Sequence, residues 1–201
     1  MSDALAPMAR EILDLWFGQT DDDIDSRAPM WWTKDPELDE RLRTRFADQL
    51  HVAAAGGLSD WEDTPEGALA LVVLLDQFSR DIHRGDPRSF AQDAAALAVT
   101  RRALARGFDR MLAPPRRVFL YMPLMHSEQV ADHADSLSLF EALAGVGAGT
   151  RWEEMLTANV DYAKRHAAII HRFGRYPHRN HVLGRTSSAA EDAHVAEHGG
   201  F

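Results

Sequence analysis

Cysteine is absent from all 201 residues. That excludes a disulfide scaffold, a zinc–thiolate site, a thiolate-held iron–sulfur cluster and a cysteine nucleophile. No apolar run of about 18 residues occurs, so neither a membrane-spanning helix nor a membrane partner is expected. Met1–Arg10 lacks a basic region followed by an apolar stretch, so no secretory leader is read there and a cytoplasmic protein is expected. Strand signals are nearly missing, because no stretch alternates apolar and polar residues between turn dipeptides. Gly-rich phosphate loops and the G-x-S-x-G elbow are absent. So are H-E-x-x-H and the Glu-x-x-His pattern of carboxylate-bridged bundles. His126 with Glu128 and His166 with His171 are spaced so that neither pair shares a helix face. No metal and no cofactor are therefore expected.

What is present fits an ordinary globular chain, 45% hydrophobic and 26% charged. A chain this long buries roughly 70% of its unfolded surface, so one domain spanning 1–201 can hold its own core. The 22 basic and 31 acidic residues give a net charge of −9. The charge is uneven. The first 66 residues hold 16 acids and 6 bases, a net of −10, and the remainder holds 15 acids and 16 bases, a net of +1. Tyr162–Ala190 carries Lys164, Arg165, Arg172, Arg175, Arg179 and Arg185 with no acid. That tract can attract an anion or pair with the acidic N-terminal part. Nucleic acid is not expected, since the chain is negative overall and no nucleic-acid motif accompanies the tract.

Helix signals recur. Ile12, Leu13, Trp16 and Phe17 follow one face and Gly18 can end the helix. The acidic run Asp21–Asp25 reads as a solvated loop. Asp35-Pro36-Glu37 and Thr64-Pro65-Glu66 each supply an N-cap, a proline at the first helical position and an acid at the positive dipole end. Leu38, Leu42, Phe46 and Leu50 line the first of these helices. Leu69, Val72, Val73, Leu75 and Phe78 make the second strongly apolar and central, running to about Arg84. Asp86-Pro87 starts a further helix with Phe90, Ala94, Leu97 and Leu104. A helix from about Pro115 is expected to be disturbed at Pro123. Ser127 can cap the next, with Val130, Ala134, Leu137 and Phe140, before a Gly-rich connection at Ala144–Thr150. Arg151–Gly174 reads as one long amphipathic helix, broken by Tyr176-Pro177. Ser188-Ala-Ala-Glu191 is a capping box for a short last helix. The fold class is thus all-α, about eight helices in hairpins packed as a compact right-handed array. No fixed-period repeat and no Trp-x-x-Leu-Gly-x-x-Tyr core occurs.

Three polar clusters stand out. Asp76, Arg80 and Arg84 fall at i, i+4 and i+8 beside Gln77, either as surface pairs or as the wall of a site on an apolar helix. His126-Ser127-Glu128 sits where one helix breaks and the next begins. His126 can transfer a proton near neutral pH with Glu128 as its partner, or the segment is simply a cap and a polar filler. Arg175, His178, Arg179 and Asn180, then Arg185, follow the end of the long helix. Basic residues there can also answer the helix dipole.

Taken with Ile12–Gly18 and Trp31-Trp32, these stretches resemble the bacterial family of unknown function numbered 924. The carrying motifs are Leu75-Asp-Gln-Phe78 with Arg80 and Arg84-Gly85, Phe119–Glu128, and Arg172–Asn180. The resemblance implies tetratricopeptide-like helix pairs and no established reaction. Its motif positions are Asp76, Gln77, Arg80, Arg84, His126, Glu128, Arg175, His178, Arg179, Asn180 and Arg185. Ser79 and Asp81 depart from the proline and asparagine usual in the first motif.

Three functions follow as expectations. One is a pocket for a small anionic molecule, with the arginines as clamp and His126, Glu128 or His178 as acid–base groups of a hydrolase or lyase. Another is a peptide-binding module, for which Trp31, Trp32 and Trp61 are the aromatic candidates. The last is a structural network joining the acidic N-terminal helices to the basic tract. Oligomeric state is not legible in the sequence.

Overall fold

The computed structural model describes residues 5–199. Residues 1–4 and 200–201, which include the start of the segment read for a leader and both ends of the 1–201 domain, lie outside the described residues. All regular structure among the described residues is helical, with no strand. No helix among them is long and apolar enough to cross a membrane.

Helix α1 (Pro7–Phe17) buries Ile12, Leu13, Trp16 and Phe17, the face its spacing predicts. The acidic run that follows is not a loop. Asp21–Asp23 forms a 3-10 turn that enters α2 (Ile24–Trp32). Asp23 accepts from the Thr20 amide at 2.9 Å, and the neighbouring acids sit at the positive end of the helix dipole. Ile24, fully buried, anchors the turn. The composition had masked one apolar residue inside an acidic run.

Both proline-led starts form as read. Asp35 Oδ1 accepts from the Glu37 amide and opens α3 (Pro36–Ala54). Thr64 Oγ1 accepts from the Gly67 amide and opens α4 (Pro65–Val72). That helix does not continue regularly. It widens into a π turn at Val73–Phe78, then resumes as α5 (Ser79–Ile82). It ends two residues short of Arg84, where Arg43 reaches across to cap the Ile82 carbonyl from two nitrogens. Asp86-Pro87 starts only a 3-10 turn, and α6 begins later (Asp93–Ala105). Its buried face is Ala96, Val99, Thr100 and Ala103 rather than the larger residues predicted.

Pro123 does not interrupt α7 (Pro114–His126). A proline removes one ladder bond and crowds the preceding turn. Here Thr100 donates to the Leu120 carbonyl at 2.9 Å, giving an acceptor in that turn a partner. Helix α8 (Val130–Gly147) starts after Gln129, not at Ser127, and runs through most of the segment expected to be a connection. Its buried residues are Asp132, His133, Ser136, Phe140, Leu143 and Gly147, so only Phe140 of the predicted face is buried. Helix α9 (Glu153–Phe173) closes at Gly174 with φ +71°, and α10 (Ala189–His198) carries the Ser188–Glu191 capping box.

Helix α4 packs against α1, α6 and α7 at once, while α7, α8 and α9 pack in succession. An aromatic cluster binds α1 and α2 to α7. Trp31 meets Phe119 at 4.6 Å between centroids, edge to face, and its Nε1 donates to the Trp16 carbonyl. This arrangement brings the C-terminal end of α7 beside the π turn and one face of α9.

Candidate functional site

The site grows from the π turn. A π turn spends an extra residue per hydrogen-bonded loop and reorients side chains within an otherwise regular helix. Asp76, inside it, is fully buried among apolar helices. Its Oδ1 accepts from Arg80 at 3.0 Å and pairs with His126 Nδ1 at 2.8 Å. Its Oδ2 accepts from the Gln77 side-chain amide. Burial by itself would raise this carboxyl. The charges of Arg80 and His126 and the hydrogen bonds from His126 and Gln77 outweigh it and hold Asp76 well below the usual carboxylate range. His126 turns Nδ1–H to the ionised Asp76, and in the neutral form of the ring the lone pair then sits on Nε2. Among the described residues, Nε2 has no hydrogen-bond partner, and His126 borders two clefts.

The three polar clusters therefore converge, but not with the partners expected. Arg80 bridges Asp76 to Asp93, and Arg179 donates to the same Asp93 at 2.9 Å and to the His126 carbonyl at 3.0 Å. The Arg179 guanidinium lies over the Phe90 and Tyr176 rings, 4.6 and 4.5 Å from their centroids. Glu128 is not the partner of His126. It accepts two bonds from Arg185 and one from the Tyr176 amide. Burial pushes its carboxyl up, and those donors pull it further down, so it is held ionised. Asp76, not Glu128, is the carboxylate against His126.

Four residues leave the group. Arg84 points to the outside, onto Asp39 and Asp81, because the helix ends before it. Arg175 binds Glu191 of the last capping box and the Thr186 carbonyl. Asn180, fully buried, donates to Ser187. His178 packs 5.6 Å from the Tyr176 ring and borders neither cleft. Burial, followed by the charges of Arg179 and Arg80, pushes His178 down to about 4.

Each arginine of the expected clamp thus faces a carboxylate of this chain: Arg80 and Arg179 on Asp93, Arg84 on Asp39, Arg175 on Glu191, Arg185 on Glu128. Among the described residues these five arginines are all paired with carboxylates. The basic tract does not pair with the acidic first 66 residues through these arginines; its partners Asp93, Glu128 and Glu191 lie later in the chain. Among the described residues, no group of three or more His, Asp or Glu side chains is arranged to hold a metal.

Several residues at the site were missed. One cleft beside His126, about 220 Å³, is bordered by Trp32, Gln77, Met122, Asn159, Tyr162 and His166. Asn159, Tyr162 and His166 fall at i, i+3 and i+7 of α9, a spacing that marks one face. His166 is nearly buried and its Nδ1 meets the Tyr162 carbonyl at 2.7 Å. Burial pushes His166 down to about 3. Trp32 is 56% exposed and lies parallel to Tyr162, at 6.5 Å between centroids. Trp31 and Trp61, the other aromatic candidates, are buried in the core. The second cleft, about 580 Å³, lies on the other side of His126 between Phe90, Leu97 and Leu183.

The fold and site define an all-helical protein with a buried carboxylate–histidine pair opening on a cleft. The chain belongs to the family described as "Bacterial protein of unknown function (DUF924)", whose model matches residues 12–199. A solved structure of a protein of unknown function from Agrobacterium tumefaciens is similar throughout. The two are 31% identical, with a TM-score of 0.82, over 96% of this chain and 99% of that one. A search of curated proteins finds no match.

Proposed function

We propose that the cleft beside Trp32 is the active site of a small-molecule hydrolase or lyase in which His126 Nε2 is the general base. The observation that carries this reading is the 2.8 Å contact of His126 Nδ1 with a fully buried carboxylate, while His126 borders the cleft and its Nε2 has no hydrogen-bond partner among the described residues. Asp76 fixes the tautomer and balances the imidazolium formed when Nε2 takes a proton from water or substrate. The imidazolium then returns that proton to the leaving group. Gln77 and Arg80 hold Asp76 in place and act through it. Such acid–base catalysis is worth about 10²–10⁴-fold in rate.

The test is a turnover screen of the purified protein against esters, amides, amidines and eliminable hydroxy acids. His126→Gln should lower any activity found by at least about a hundredfold when assayed well below its melting temperature, where the variant is folded. Activity retained within a few fold in that variant would refute the assignment.

A second reading has its own support in the arginine–carboxylate pairs. On it, the clusters are a structural network, now between Asp76, Asp93, Glu128, Glu191 and their arginines. Substitutions there would lower stability and leave no activity to lose.

A further inference from the structure

The same cleft can be read for what it offers a ligand, on the premise that it is the active site proposed above. Its guanidinium and amide donors are already spent on the protein, while the Trp32 indole and Tyr162 hydroxyl lie at its exposed rim. Arg80 gives its terminal nitrogens to Asp76 and Asp93. Gln77 gives its amide nitrogen to Asp76 and to the Met122 sulfur. Asn159 gives its own to the Met155 carbonyl at 2.8 Å. Each of these amides faces a protein acceptor, so neither can be turned over without placing oxygen against oxygen. The amide orientation is therefore fixed, with the nitrogen inward.

The acceptors are left. The side-chain oxygens of Gln77 and Asn159 accept no hydrogen bond from the described residues, and neither is a sealed buried atom. His126 Nε2 is a third acceptor on the same cleft. The aromatic wall adds to this. Trp32 is half exposed, and a ring face attracts a cation, tryptophan most strongly. Tyr162 already carries the Arg165 guanidinium 5.5 Å from its centroid, and Trp32 lies near-parallel to Phe119 and Tyr162 at 6.3 and 6.5 Å between centroids, leaving part of its half-exposed ring uncovered. The nearest cation, Arg80, is neutralised between two carboxylates, and the chain as a whole carries −9.

We infer that the cleft takes an organic cation bearing N–H donors, an amidinium, guanidinium or primary ammonium group, seated against Trp32 with its N–H groups on Gln77, Asn159 and His126. This replaces the acidic ligand that the arginine count suggested.

The experiment titrates the full chain with four matched probes: benzamidinium, benzamide, trimethylphenylammonium and benzoate. Binding is followed by calorimetry and by tryptophan fluorescence. Benzamidinium should bind best, trimethylphenylammonium (a cation without N–H) more weakly, and benzoate least. Trp32→Ala and Tyr162→Ala, both at exposed positions, test the wall; Trp32→Ala should weaken benzamidinium about tenfold. Benzoate binding as tightly as benzamidinium, no binding of any probe, or full affinity in Trp32→Ala would overturn the inference. The outcome is separable from that of the base. Benzamidinium binding without any His126-dependent turnover keeps the ligand class and removes the base. His126-dependent turnover with benzoate preferred does the reverse.

Discussion

Replacing Asp76 by asparagine isolates the centre of the site with almost no change of shape. The carboxylate is fully buried and has three side-chain partners: Arg80, His126 and Gln77. Hydrogen bonds to a charged group are worth about 1.5–3 kcal/mol each. Asparagine keeps one acceptor oxygen, so part of that is retained. The larger loss is charge: Arg80, only 20% exposed, would keep Asp93 alone, which Arg179 also uses. Breaking a buried pair by removing one partner costs about 3–5 kcal/mol, and the remaining Asp93 contact puts this case near 3. Urea unfolding, with a slope of about 2–3 kcal/mol per molar, should then show the midpoint lower by about 1–1.5 M. Arg84→Ala is the control. Its pairs with Asp39 and Asp81 are partly exposed, and its loss should cost about 1 kcal/mol or less. If Asp76→Asn unfolds within half a molar of the parent, the buried charge network does not hold the π turn and the reasoning fails. Asparagine keeps its oxygen toward Arg80 and His126, which share Oδ1, but carries no charge to balance an imidazolium, so a base at Nε2 would be weakened in the same variant.

Gly67→Ala should cost about 2 kcal/mol or more, because the new Cβ would stand 2.1 Å from the Trp61 carbonyl oxygen, a backbone atom that cannot swing aside; a midpoint unchanged in urea would contradict this. Acid should destabilise the fold below about pH 6.5 through its buried histidines, an effect that Asp81, pushed up to about 6 by burial, offsets in part. Burial holds His166 at about 3, His178 at about 4 and His133 below its ordinary value. All three bind fewer protons folded than unfolded, so their contribution is complete above about pH 6.5 and is lost as the pH falls toward 4. For the nearly buried His166 the slope is about 1.4 kcal/mol per pH unit in that window. Unfolding midpoints measured from pH 7.5 to 5 should fall steadily, less steeply in His166→Gln, and a flat profile would refute the assignment.

Local signals were readable and tertiary ones were not. Asp35-Pro36, Thr64-Pro65 and Ser188 with Glu191 started helices as read, because a cap is satisfied within three residues. The π turn and the unbroken passage through Pro123 carry no local signal, and both lie where several helices pack together. The buried faces of α6 and α8 went astray for a related reason: α6 buries its small residues so that neighbours can approach, and its Leu97, with Phe90 of the preceding turn, lines a cleft. Residue types at the site were legible as three polar clusters. Their pairing was not, since Asp76 lies 50 positions from His126 and Glu128 lies 57 from Arg185. Asp93 and Asp39, which occupy the arginines, carried no motif that would have marked them.

The wide turn at Val73–Phe78 makes the site sensitive to chain length as well as to chemistry. Removing one residue there would let the helix close into a regular ladder, a gain in backbone bonding. It would also swing everything beyond by about 100° around the axis. Asp76 would turn off His126, and Arg80 off Asp93. Point substitutions could approach that arrangement only by paying for buried charge, whereas a single-codon deletion would reach it at once. A helix with an odd residue in it thus acts as a phase setting, and the carboxylate–histidine pair exists at only one value of it.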